Sequence, residues 1–317
     1  MYILDRLATM LSGSRNIDFF VQDFSEPVVN LISVTKSEAL FMSDDFATGG
    51  LAMLRDIKCF LLDMDGTIYL GNKLIPGADM FLDTLRSMNL DYFFLTNNSS
   101  KDNFAYVDKL RSMGITLCPS QVITSGEATA IYLKARMPGA KLFLLGTEIL
   151  GREFIQHGFE LVGKNDKPDF VVLGFDTTLT YQKLWDACDL IRDGVEYIAT
   201  HPDLNCPLEG GKYMPDTGAM MAFIEASTGR TPKIIGKPNR EIVDAVLTMT
   251  NHSKEQIAIV GDRLYTDIAM GQNSGLTSIL VLSGETRRED LAESEFRPDY
   301  VFDSVVQLAA ELVKVSK

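Results

Sequence analysis

The apolar run Ile57-Lys58-Cys59-Phe60-Leu61-Leu62 delivers two carboxylates, Asp63 and Asp65, just ahead of Gly66-Thr67. Side chains two apart on an extended chain share a face, so the two acids point together while Met64 turns away. Two such charges near a protein interior repel each other and lose hydration, so the pair either has a compensating cation or is a solvated turn. Three other segments end in comparable residues. Tyr92-Phe93-Phe94-Leu95 leads into Thr96, Asn97, Asn98, Ser99 and Ser100, whose hydroxyls, amides and backbone N–H groups could hold anionic oxygens or cap the next helix. Ile234-Ile235-Gly236 leads into Lys237, a point cation able to face the acids or to lie on the surface. It is not part of a P-loop, because GxxxxGK[ST] is absent. Ile257-Ala258-Ile259-Val260 leads into Gly261-Asp262, with Asp267 further on. Asp262 could complete a hard-cation site with Asp63, and Asp267 could position Lys237 or a water on that cation. Alternatively, these two acids are a helix cap and a helix-face residue.

The elements that must position these residues follow from hydrophobic pattern. Short apolar runs predict strands at 57–63, 91–96, 142–145, 170–174, 196–200, 233–236, 257–261 and 278–282. Helical spacing predicts helices at 77–88, 101–113, 126–136, 148–157, 181–193, 217–228, 239–250 and 266–274. Gly114, Gly158, Gly194, Gly229 and Gly275 fall at or beyond helix ends, where a left-handed cap is needed. This alternation predicts an α/β fold with parallel sheets, whose ligands bind beyond the carboxyl ends of the strands. Residues 1–52 lack a clear long period and read as an N-terminal extension of unknown role, with Met53 opening the domain proper.

Composition narrows the partners. With 317 residues, 46% of them hydrophobic and 23% charged, the chain can bury a sizeable core. A net charge of −13 argues against a nucleic-acid backbone as partner. No apolar run approaches a membrane span. Cys59, Cys118, Cys188 and Cys206 form no CxxC pair, and His157, His201 and His252 have no zinc-ligand spacing. Reduced thiols and the lack of a targeting pattern at the N-terminus predict a cytoplasmic protein. Trp185 reads as a core side chain.

Taken in order, Asp63-x-Asp65-Gly66-Thr67, the strand-end Thr96, Lys237 and Gly261-Asp262-x4-Asp267 resemble the haloacid dehalogenase (HAD) superfamily, over about residues 55–317. The resemblance implies a Rossmann-like core with a parallel sheet flanked by helices. It implies that Asp63 is the nucleophile, forming an aspartyl-phosphate, and that Asp65 is the acid and base. Mg²⁺ would be held by Asp63, Asp262 and the main-chain carbonyl of Asp65. Thr96, Asn97, Asn98 and Lys237 would bind the phosphoryl oxygens, with Asp267 in support.

Spacing between the motifs refines this. About thirty residues separate Asp65 from Thr96, enough for a flap and one helix. About 140 separate Thr96 from Lys237, which predicts an inserted α/β cap domain at 128–231, between core segments 53–127 and 232–317. This arrangement, with "DMDGTIYLG", "TNNSS", "ASTGRTP" and "GKPN", resembles the IIA branch, which includes NagD-like, p-nitrophenylphosphatase-like and acid sugar phosphatase-like proteins. In the stretch "ATHPDLNCPLEGGKYMPDTGAMM", His201, Asp203 and Asn205 could contact the leaving group, His201 could equally be a satisfied structural histidine, and Cys206 could simply pack. Asn205-Cys206 stand where pyridoxal phosphate and phosphoglycolate relatives carry Trp-His. The resemblance therefore implies a Mg²⁺-dependent phosphatase of small phosphorylated metabolites: sugar phosphates, nucleoside monophosphates and glycerol-type phosphates, with p-nitrophenyl phosphate as a test substrate. A homodimer through the cap is a further expectation. The alternatives are a phosphomutase or phosphotransferase on the same scaffold, and a receiver-like signalling module. The second leaves the large insert unexplained.

Overall fold

The structure is a computed structural model describing residues 51–208 and 211–315. The expected extension, 1–52, lies outside the described residues apart from its last two. Two parallel sheets organise the rest. In chain order the strands are β1 (Cys59–Leu62), β2 (Tyr69–Leu70), β3 (Lys73–Leu74), β4 (Asp91–Thr96), β5 (Val122–Thr124), β6 (Lys141–Leu145), β7 (Glu160–Leu161), β8 (Phe170–Leu173), β9 (Glu196–Ala199), β10 (Asn205–Leu208), β11 (Lys212–Pro215), β12 (Lys233–Ile234), β13 (Ile257–Gly261), β14 (Thr277–Val281) and β15 (Tyr300–Phe302). The main helices are α1 (Ala78–Ser87), α2 (Asn103–Ser112), α3 (Ser125–Arg136), α4 (Glu148–Gln156), α5 (Tyr181–Arg192), α6 (Thr217–Thr228), α7 (Arg240–Met249), α8 (Ala269–Ser274), α9 (Asp290–Glu293) and α10 (Val305–Val315).

The larger sheet has the order β15-β14-β13-β1-β4-β5, and the second has β12-β9-β8-β6-β7. Both bury apolar side chains on each face, as parallel sheets with helices on both sides must. Along β1, Phe60 and Leu62 enter one core while Cys59 and Leu61 enter the other. That second core is continuous with the second sheet: Leu142, Phe170, Val172 and Ile198 pack in the same cluster as Leu61 and Ile259. Helices α3 and α7 supply side chains such as Leu133 and Val246 to it. The chain leaves the larger sheet after β5 and rejoins it at β13. Helix α3 crosses the expected boundary at 127/128, and β12 pairs with β9 beyond the expected end at 231.

Two short hairpins complete the fold near the carboxyl ends of the strands. β2 pairs with β3, and β10 with β11. Helix starts are set by side chains that satisfy otherwise unpaired N–H groups: Asp102 accepts from Ala105 N at 2.9 Å, Thr124 from Glu127 N at 2.9 Å and Thr147 from Leu150 N at 3.2 Å. Among the described residues no helix is long and apolar enough to cross a membrane.

Candidate active site

Strands β13, β1 and β4 are neighbours at the centre of the larger sheet, so the residues that follow them meet at one edge. The Asp63 amide donates to Val260 O at 2.9 Å, continuing the β1–β13 ladder by one residue. Met64 turns into the core, and both Asp63 and Asp65 line a small cavity of about 80 Å³. Gly66 makes the sharp turn that follows, with φ at 88°, and its amide donates to Tyr69 O at 2.8 Å. A β-carbon at Gly66 or Gly284 would collide with the Asp262 carboxylate, and one at Gly261 with Asp267. Glycine at these three places makes room for the acids.

Lys237, only 3% exposed, lies between Asp63 Oδ1 at 2.6 Å and Asp267 Oδ1 at 2.7 Å, and also donates to Leu95 O at 3.3 Å. Burial alone would push the lysine toward its neutral form, but the Asp267 and Asp63 carboxylates outweigh it and hold the ammonium charged. For Asp63, burial raises the pKa and Lys237 opposes the rise. Asp262 is raised well above the usual carboxylate range by burial, then by repulsion from Asp63 and Asp267.

Asp63, Asp262 and Asp267 bring carboxylate oxygens within 4.8 Å of one another, the one group of this kind among the described residues. Asp262 Oδ2 accepts from Glu285 N at 2.6 Å, while Oδ1 is buried with no hydrogen-bond partner. Three acids facing one ammonium, with an unpartnered oxygen among them, form a hard donor set short of positive charge. That fits a divalent cation of the Mg²⁺ or Ca²⁺ type. Asp65 reaches solvent through the cleft, yet the surrounding protein desolvates its carboxyl enough to raise its pKa, with Lys109 partly opposing. The Lys109 ammonium lies 3.8 Å from the centre of the Tyr69 ring.

The loop after β4 is not the cap of the following helix, since Asp102 fills that role. Thr96, Asn97 and Asn98 are therefore left at the small cavity. Asn98 N donates to Thr96 Oγ1 at 3.2 Å, and Ser100 N to Asn98 Oδ1 at 2.9 Å, which folds the loop on itself. The Asn97 side chain is occupied within the protein. Its amide donates to Asp203 Oδ1 and to Lys237 O, both at 3.0 Å, and its oxygen accepts from Lys237 N at 2.8 Å. It thus fixes the peptide of Lys237, leaving its main chain for an anion. Elements of the second sheet clamp the same loop: Ser99 Oγ meets Thr200 Oγ1 at 2.9 Å and accepts from Phe175 N at 2.9 Å, and Thr147 Oγ1 donates to Ser100 O at 3.0 Å.

The geometry decides between the two readings of His201 in favour of the structural one. His201 is fully buried and lines neither of the cavities at the strand ends. Its ring pairs with Asp216 Oδ1 at 2.9 Å on one side, and with Thr200 Oγ1 at 2.9 Å and Ser125 Oγ at 3.3 Å on the other. Ser125 in turn donates to Asn97 O. The histidine ties the loop ahead of β10 to the loop after β4 and does not reach a leaving group. Asp203 and Asn205 do line both cavities, and Cys206 lines the smaller one. The structure corrects the expectation for Trp185: it stands 55% exposed on α5, outside the core.

Sequence reasoning passed over Arg263, Tyr265, Thr266, Tyr213 and Glu285, all of which line the larger cavity, of about 790 Å³. Residues 264–268 form a single π-helical turn, a local irregularity common at functional sites. Arg263 and Thr266 stood within the Gly261–Asp267 motif and could have been drawn from it. Tyr213 and Glu285 are brought in only by tertiary folding.

Two family sequence models match the chain: haloacid dehalogenase-like hydrolase over residues 60–160 and HAD-hydrolase-like over 234–308. The acid sugar phosphatase of Staphylococcus aureus (strain MRSA252) is 38% identical over 262 residues, 82% of this chain and all of its own length. A 4-nitrophenylphosphatase from Thermotoga maritima superposes with a TM-score of 0.78 at 50% identity, covering 81% of this chain and 98% of its own. A glycerol phosphate phosphatase from Mycobacterium tuberculosis, solved with calcium, superposes with a TM-score of 0.75 at 31% identity, covering 81% of this chain and 76% of its own. With motifs, sheet order and relatives in agreement, the chain belongs to the haloacid dehalogenase-like hydrolases and is an enzyme of the branch that holds the NagD-type proteins and p-nitrophenylphosphatases.

Proposed function

We propose that this enzyme hydrolyses small-molecule phosphomonoesters in two steps, through a covalent phosphoryl group on Asp63. The observation that carries this reading is the convergence of Asp63, Asp65, Thr96, Lys237 and the unpartnered Asp262 oxygen at the ends of three adjacent strands. Lys237 holds one oxygen of Asp63, which aims the other at phosphorus. As Asp63 attacks, the bond from phosphorus to the leaving oxygen breaks, and Asp65 gives that oxygen a proton. The raised pKa of Asp65 suits a group that must be protonated at this moment. Asp65, now ionised, takes a proton from the water that attacks the phosphoryl-aspartate, and Asp63 is regenerated with release of phosphate. Thr96, the main chain of Asn97 and Asn98, and Lys237 bind the phosphoryl oxygens, while Asp267 keeps Lys237 charged and in place. Asp63, Asp262 and the main-chain carbonyl of Asp65 would hold Mg²⁺, which supplies charge to offset that of the phosphoryl group and the acids.

The relatives support sugar phosphates, glycerol-type phosphates and aryl phosphates as the substrates to test, with nucleoside monophosphates beside them. Residues of the inserted segment that face the site act as its cap, with Asp203 and Asn205 at the leaving group. We place the enzyme in the cytoplasm, in keeping with its four unpaired cysteines. A homodimer through the cap is supported by Tyr181, Trp185 and Phe223, which lie exposed around one depression of the α5–α6 face. A monomer by light scattering would reject the dimer. For the reaction, phosphate release from a panel of monoesters with Mg²⁺ and with EDTA is the test: release that chelation abolishes supports the reading, and no release from any ester rejects it.

A further inference from the structure

The two cavities at the strand ends differ in size and in lining. The small one, about 80 Å³, holds Asp63, Thr96 and Lys237 and suits a phosphoryl group. The large one, about 790 Å³, leaves room for whatever the phosphoryl group is attached to. Asp65 lines both, as a group that protonates the bond between the two parts must. Four large apolar or aromatic side chains of the larger cavity, Leu70, Leu204, Tyr213 and Tyr265, are each more than half exposed. They come from separate parts of the chain, so their meeting at one cleft is a built apolar wall, left open by the described residues. Tyr265 is held in place: its hydroxyl donates to Glu285 Oε1 at 2.8 Å. The charges point the same way. Beside the catalytic Asp65 and the cation-binding Asp262, Asp203 and Glu285 line this cavity, and Arg263, the one basic residue among its described lining residues, has Nε 2.9 Å from Glu285 Oε2. A second anionic group on the substrate would meet Asp203 and Glu285, and the charge of Arg263 is already offset by the Glu285 carboxylate beside it.

Resting on the phosphatase reading above, we infer that the larger cavity selects phosphomonoesters whose leaving group is uncharged and carries a ring, with Tyr265 and Tyr213 as specificity-determining residues. Benzyl phosphate, ethyl phosphate and phosphoglycolate are all esters of primary alcohols, so differences in kcat/KM among them report binding of the leaving group more than its intrinsic reactivity. With Mg²⁺ present, benzyl phosphate should exceed ethyl phosphate by about tenfold, the scale on which a hydrophobic pocket discriminates, and phosphoglycolate should be the poorest. Tyr265→Ser should lower the benzyl-to-ethyl ratio about fivefold, mainly through KM. Tyr265→Phe, which keeps the ring, should retain most of that ratio, and Tyr213→Ser should lower it from the opposite wall. Equal turnover of the three esters, a preference for phosphoglycolate, or an unchanged ratio in both serine variants overturns this inference and leaves the phosphatase reading standing. Hydrolysis of none of the three overturns both.

Discussion

Glu153 offers a quantitative test of how the buried charges of this fold are arranged. It lies on α4, only 5% exposed, with Oε2 buried and without a hydrogen-bond partner. Burial, then repulsion from Glu127 and Asp102, raises its pKa from 4.5 to about 8. A carboxyl whose pKa is higher in the folded chain than in the unfolded one contributes stability that is complete below pH 4.5. That contribution is lost as the pH rises through about 8. At ~1.4 kcal/mol for each pH unit between those values, the loss is about 5 kcal/mol, and relaxation of Glu127 and entry of water would leave about 3–5 kcal/mol. Glu153→Gln keeps the shape and removes the titration. Near pH 5 the variant and the wild type should melt together. At pH 8.5, with ~2 °C per kcal/mol for a protein of this size, the variant should melt about 6–10 °C higher. Thermal unfolding followed by circular dichroism at the two pH values decides it. A difference in Tm that is the same at both, or a variant that melts lower at pH 8.5, would refute the reasoning.

Other substitutions probe the site itself. Lys237→Met leaves Asp63 and Asp267 side by side without their cation, so metal-free protein should lose about 3–5 kcal/mol of stability and phosphate release should fall at least a hundredfold; unfolding of the metal-free protein, and turnover of the same preparation after Mg²⁺ is added, give the two values. His201→Ala removes the buried ring's hydrogen bonds to Asp216, Thr200 and Ser125, leaving Asp216 only those from Thr217 N and Oγ1, and should cost about 1–3 kcal/mol. Because His201 lines neither cavity, kcat should drop less than tenfold, and a thousandfold drop in a folded variant would return the histidine to the chemistry. Gly66→Ala introduces a side chain at a φ of 88° where it would press on Asp262. It should cost about 1–2 kcal/mol and raise the Mg²⁺ concentration needed for half-maximal activity, and an unchanged titration curve would count against Asp262 as a ligand.

Much of this site was legible in the sequence, because its acids and its lysine follow runs such as Phe60-Leu61-Leu62 and Ile257–Val260, whose burial on both sheet faces demands uninterrupted apolar residues. The strands that escaped were mostly short, or lacked an apolar run. β5 and β15 have three residues each, β2, β3 and β7 two, and the hairpin of Asn205-Cys206-Pro207-Leu208 (β10) with Lys212-Tyr213-Met214-Pro215 (β11) has no apolar run to betray it. Helix α10 also escaped, although Val305, Leu308 and Leu312 repeat at helical spacing. What sequence could not supply was pairing across distance. Asn97 and Lys237 are 140 residues apart, and His201 finds its buried partner Asp216 only through the return of the β10–β11 hairpin. Without that pairing, a contact with the leaving group and a structural role stay equally open for a histidine beside Pro202-Asp203. Trp185 misled, since an aromatic residue at helical spacing can stand exposed.

The central claim is that the phosphoryl group rests on Asp63 between the two steps. Rapid acid quench of wild-type enzyme mixed with Mg²⁺ and a phosphomonoester, followed by mass spectrometry of the peptide carrying Asp63, tests it most directly. The account predicts phosphate on Asp63 at the earliest times, formed no more slowly than free phosphate appears, and none in Asp63→Asn, which should remain folded and inactive. Steady release of phosphate with Asp63 unmodified, or with the label on another residue, would contradict it.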